Sequence, residues 1–128
     1  MELDDRGVPL IDQSVLEGIR RDGAAYGDHE LVDVLIAELV ESVPPRLDAL
    51  ASAAGSSDPR GVAREAHRLK GSFAQVGAKA ASERMAALDR SARGGVVALP
   101  DVEATLRVAR RTLEVLEHRG ALGGGGRA

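Results

Sequence analysis

Glu65-Ala66-His67-Arg68-Leu69-Lys70-Gly71-Ser72-Phe73-Ala74-Gln75-Val76-Gly77-Ala78 is the stretch on which the fold turns. At 100° per residue, Val62, Ala66, Leu69, Phe73 and Val76 fall on one narrow face, spaced by fours and threes. That is the buried stripe of an amphipathic helix. His67 lies roughly 135° from the centre of the stripe on the same wheel, so its imidazole is expected in solvent. Lys70 and Gly71 follow three and four residues later, the spacing of neighbours on a helix surface. The chain has fifteen arginines and only two lysines, Lys70 and Lys79, so a lysine one turn after His67 stands out. An ammonium is a compact point charge suited to a phosphoryl oxygen, whereas a guanidinium favours bidentate forks. Gly71 costs about 1 kcal/mol relative to alanine inside a helix, and close approach by another surface is the natural reason for it.

Outward from this stretch, Asp58 is placed to cap the helix and Pro59 to occupy its first position, where a missing donor costs nothing. The periodicity predicts a helix over residues 59–76, closed by a tight corner at Gly77. A helix over 79–93 follows, amphipathic through Ala81, Met85, Leu88 and Ala92, and ends at Gly94-Gly95. Another, over 100–118, repeats the four-three step through Val102, Leu106, Ala109, Leu113 and Leu116, and Gly120 stops it. Upstream, Asp28 reads as the cap of a long helix reaching about residue 54, with Leu31, Val34, Leu35, Leu39, Val43, Leu47 and Leu50 as its apolar positions. Pro44-Pro45 interrupts it, but the apolar period continues, which predicts one bent helix rather than two. A short leading helix over 12–21 is capped by Asp12 or Ser14, with a break from Gly23 to Gly27. Short loops make neighbours antiparallel. The expected fold is therefore all-α: an up-down four-helix bundle over residues 10–119 with a short additional N-terminal helix. Residues 1–9 read as a flexible arm and residues 120–128 as a flexible glycine-rich tail.

Bulk properties narrow the function. A chain of 128 residues suits one domain, and without cysteine it has neither disulfides nor a Cys-type zinc site. The acidic start, with no long apolar run, is expected to be neither a signal peptide nor a membrane span, which points to a soluble cytoplasmic protein. Residues 1–41 carry eleven acids and three bases, whereas the remainder carries nine acids and fourteen bases, including Arg64, Arg68 and Lys70. The bland reading is ordinary solvated faces; the sharper one is a mildly basic surface that attracts an acidic partner or a phosphoryl group, with Arg64 and Arg68 as docking charges. Nucleic acid does not fit, because the balance is acidic and Tyr26 and Phe73 are the only aromatics.

His67-Arg68-Leu69-Lys70-Gly71-Ser72 with Gly77-Ala78 resembles the motif of histidine-containing phosphotransfer (HPt) domains, and the likeness extends over roughly residues 10–118. It implies a phosphorelay carrier of the two-component type, not an enzyme in the usual sense. His67 would accept the phosphoryl group from the phospho-aspartate of a response-regulator receiver domain and pass it to another receiver. Lys70 would neutralise the phosphoryl oxygens and Gly71 would give the receiver clearance. The divalent metal, magnesium, would sit on the receiver. The family often orients its imidazole from the fourth helix, and the matching position is Asp89; its other reading is a surface pair with Arg93, four residues on. Phe73 departs from the small residue more usual there, and its place on the stripe assigns it to the core. His29 and His118 have no ligand-spaced companions, so no metal site is expected. Two other readings stay open: a phosphoacceptor domain excised from a chemotaxis-type or hybrid histidine kinase, and a helical adaptor that is never phosphorylated. A monomer is expected, with no nucleic-acid or membrane partner.

Overall fold

The computed structural model describes residues 1–125, with side chains as far as residue 119. Among these residues the backbone forms α1 (Gln13–Ala25), α2 (Leu31–Gly55), α3 (Pro59–Gln75), α4 (Lys79–Arg93) and α5 (Leu99–Gly125). The last four make the bundle: α3 packs most extensively on α4, α2 lies against α3 and α5, and α4 closes onto α5. The additional α1 rests on α2. The stripes meet in one core, with Val43, Leu47 and Leu50 facing Val62, Leu69, Phe73, Met85, Ala109 and Leu116. Burying each large apolar side chain of this kind contributes roughly 1.5–3 kcal/mol.

Two built ends hold α3 in place. At its start Asp58 Oδ1 accepts from the Gly61 N–H at 3.0 Å, with Pro59 at the first position. A Cβ at Gly61 would lie 2.4 Å from Asp58 Oδ2, so cap and glycine work as one device. At its end Gly77 adopts φ +74°, and a Cβ there would come within 2.8 Å of the Asp12 carbonyl oxygen. The Gly77 carbonyl accepts from the Asp12 N–H at 2.7 Å, docking the corner on the cap of α1. α2 runs unbroken through Pro44 and Pro45, as the continuing period predicts. Both rings are exposed, so the carbonyls they leave without donors one turn earlier lie on the hydrated side.

Several boundaries depart from the sequence reading. α1 passes through Gly23 to Ala25, because Gly23 is a packing position whose Cβ would meet the Asp28 carbonyl oxygen at 2.6 Å. Asp28 is not the cap of α2; its Oδ1 accepts from the Glu30 N–H at 3.1 Å in a turn just before the helix. In the first turns of α2 it is Val32 and Ile36 that are buried, while Val34 is exposed and Leu31 and Leu35 are half-buried. The expected loose arm is bound into the fold. Asp4 Oδ1 accepts from the N–H groups of Arg6 and Val8, and Asp4 Oδ2 accepts from Arg84 Nε of α4 at 3.2 Å. Arg84 also pairs with Asp5, and Arg111 of α5 with Glu2. α5 stays helical past Gly120, since glycine weakens a helix by about 1 kcal/mol without forbidding it. The rest of the expected tail, residues 126–128, lies outside the described residues.

Candidate functional site

On α3 the apolar stripe faces the core, and His67 points away from it with its side chain 56 % exposed. α4 runs beside α3 and buries Met85, Leu88 and Ala92; Asp89, next to that stripe, is carried to the α3 side and is only 7 % exposed. His67 Nδ1 and Asp89 Oδ2 are 3.1 Å apart, and Arg93 Nε donates to the other oxygen, Oδ1, at 2.7 Å. The two partners weighed for Asp89 are thus engaged together, one per oxygen. Burial pushes the Asp89 carboxyl up, but the hydrogen bonds and charges of Arg93 and His67 outweigh it and hold the group below its ordinary 3.8. Near neutral pH Asp89 is therefore a carboxylate that can only accept. The shared proton therefore belongs to His67 Nδ1, and in the neutral form of the ring the free lone pair is on Nε2.

Lys70 and Gly71 of the motif lie on the same helix, within about one turn of His67. Lys70 sits one turn along α3, half-buried, and its carbonyl accepts from Ser82 Oγ of α4 at 3.1 Å, which ties the two helices together just past the histidine. Arg64 and Arg68 are exposed on the same helix. Gly71 is exposed, and a Cβ built on it would meet nothing within 4 Å, in contrast to Gly61 and Gly77. No packing inside the protein asks for a glycine there. Phe73 is fully buried, as its place on the stripe requires. His29 and His118 are exposed, and no group of three or more His, Asp or Glu side chains that could hold a metal ion occurs among the described residues. The sequence reading missed Ser82 and took Arg93 only as a rival of His67. The i,i+4 spacing from Asp89 was the signal for Arg93; nothing in the sequence marks Ser82.

An exposed histidine held from the neighbouring helix of a four-helix bundle defines a class of protein. The family model described as Hpt domain matches residues 34–118, and the chain belongs to this family. It is a histidine phosphotransfer protein of phosphorelay signalling, a carrier whose family interacts with receiver domains. Among solved structures, the crystal structure of histidine-containing phosphotransfer protein B (HptB) from Pseudomonas aeruginosa PAO1 shares the fold. It aligns with a TM-score of 0.73 at 23 % identity, covering 90 % of this chain and 94 % of that one. Among curated proteins no sequence match is found. No helix of the described residues is long and apolar enough to cross a membrane.

Proposed function

We propose that His67 is the phosphoacceptor and that its Nε2 carries the transferred group. The observation that carries this reading is the hydrogen bond of His67 Nδ1 to the buried carboxylate of Asp89, which leaves Nε2 bare on an exposed ring. In the reaction the Nε2 lone pair attacks the phosphorus of a receiver's aspartyl phosphate. The phosphorus–oxygen bond to the aspartyl group breaks, and the carboxylate leaves with the electron pair. The Nδ1 proton stays where it is, so the product is a phospho-imidazolium whose positive charge rests against Asp89. Transfer to a second receiver is the same step reversed. Phosphoryl transfer depends mainly on positioning and on charge stabilisation. Lys70 supplies a cation beside the phosphoryl oxygens, Gly71 leaves room for the docking surface, and Arg64 and Arg68 attract an acidic rim around the receiver's site.

The divalent metal belongs to the receiver in this reading, since the donors around His67 are one carboxylate and several cations, a poor set for a metal. The chain acts as a carrier and not as a kinase, which the lack of any nucleotide-binding motif in its sequence supports. We further propose that it works as a monomer in the cytoplasm: a composition free of cysteine fits a reducing compartment, and light scattering in solution checks the monomer. The test of the site is incubation with a phosphorylated receiver. Wild type takes up acid-labile, alkali-stable label, and His67→Gln takes up none. Label retained in His67→Gln would move the acceptor elsewhere. No label in wild type, from any receiver tried, would favour a non-phosphorylated adaptor.

A further inference from the structure

We infer that Arg93 is a positioning residue for the transfer: it anchors the carboxylate of Asp89 so that the remaining oxygen holds His67 with Nδ1 protonated. This rests on His67 being the phosphoacceptor. The two bonds on this single carboxylate are unequal. The bond from Arg93 Nε to Oδ1 is 2.7 Å, in the range of charge-assisted pairs, while the His67 contact to Oδ2 is 3.1 Å. His67 is more than half exposed, and without Arg93 the buried Asp89 carboxylate would keep that longer contact as its one side-chain bond, with either oxygen free to make it. With the stronger partner fixed on one oxygen, the other has one place to go. Which ring nitrogen carries the proton is set by the hydrogen bonds of the ring itself, so by fixing the acceptor that Nδ1 meets, the anchor on Asp89 sets the tautomer of His67.

A plainer account of Arg93 is a cation favouring the C-terminal end of a helix, since it lies in the last turn of α4, just before Gly94. Arg90 shares that turn and is exposed, yet it makes no side-chain bond with Asp89. The two arginines can therefore be separated by substitution. Both side chains lie on the surface, so neither replacement empties the core.

The test is a long-range proton–nitrogen correlation of the His67 imidazole in ¹⁵N-labelled protein at about pH 8, above the ordinary imidazole range. His67→Gln assigns the signals. Wild type shows Nδ1 protonated and Nε2 bare. In Arg93→Ala the Nδ1–H population falls, and the rate of phosphoryl uptake from a phosphorylated receiver drops about threefold to tenfold, as expected for a misoriented reactive group. Arg93→Lys, which can still place a cation on Oδ1, recovers most of both, and Arg90→Ala changes neither. Wild-type nitrogen shifts in Arg93→Ala overturn the proposal. So does an Arg90→Ala variant that behaves as Arg93→Ala does, since end-of-helix charge would then suffice. The nitrogen shifts decide the role of Arg93 without any transfer. Failure of wild type to take label counts against the phosphoacceptor reading alone.

Discussion

Replacing Gly71 separates what the helix wants from what the partner needs. Gly71 lies inside α3 with its Cβ direction open to solvent and nothing within 4 Å. Gly71→Ala therefore introduces no clash and removes unfolded-state freedom, for a gain of about 0.4–1 kcal/mol. Unfolding entropy is roughly 2.1 cal/mol/K per residue. For a chain of 128 residues that gain raises Tm by about 2–4 °C. Gly71→Gln gains slightly less, since glutamine is a somewhat poorer helix former, but it plants a long side chain about one helical turn from His67, roughly 6 Å along the axis. A partner displaced by an ångström there loses transfer rate by up to about 10²-fold. The expected pair of results is a higher Tm by circular dichroism for both variants, and at least a tenfold slower phosphoryl uptake in Gly71→Gln by rapid quench. A wild-type rate in Gly71→Gln would refute the docking role. A lowered Tm in Gly71→Ala would refute the claim that nothing inside the protein needs the glycine.

Lys70→Ala is expected to slow uptake about tenfold, less than the loss of a fully enclosed charge-stabilising donor because the receiver brings charges of its own. Its Tm should stay near wild type, and an unchanged rate in quench experiments would remove Lys70 from the mechanism. Acid stability tests the carboxylates. Burial pushes Asp4 up, but the Val8 and Arg6 N–H groups and the Arg84 guanidinium hold it below its ordinary value, and Asp89 is likewise depressed. The stabilisation from such groups is fully present above the unfolded value near 3.8. It is lost as pH falls through the depressed folded values. Between about pH 5 and pH 2.5 the urea midpoint of wild type should fall further than that of Asp89→Asn, and equal losses would show that Asp89 is not held ionised by its partners.

How much of this was legible in the sequence depends on how local the information is. α3 was legible because its apolar face is narrow and its ends are punctuated by Asp58-Pro59 and Gly77. His67, Lys70 and Gly71 share that one helix, so a helical wheel suffices to put them on one surface. The start of α2 was not, because Leu31, Val32, Val34, Leu35 and Ile36 supply apolar residues all round and leave the choice of face to α1. The arm was misread because its acids find their partners far away, Asp4 with Arg84 and Glu2 with Arg111, and no local pattern encodes that. Asp89 is the intermediate case. Its spacing to Arg93 is helical and visible, whereas its distance to His67 depends on how α4 lies against α3. The sequence posed a choice between two partners that the two oxygens of one carboxylate remove.

The most direct measurement is the location of the phosphoryl group on the ring. Protein with ¹⁵N-labelled histidine, loaded from a phosphorylated receiver at mildly alkaline pH, should show one phosphorus coupled to Nε2 of His67, with Nδ1 still protonated. Coupling to Nδ1 instead, or phosphorus on any residue other than His67, would contradict the account.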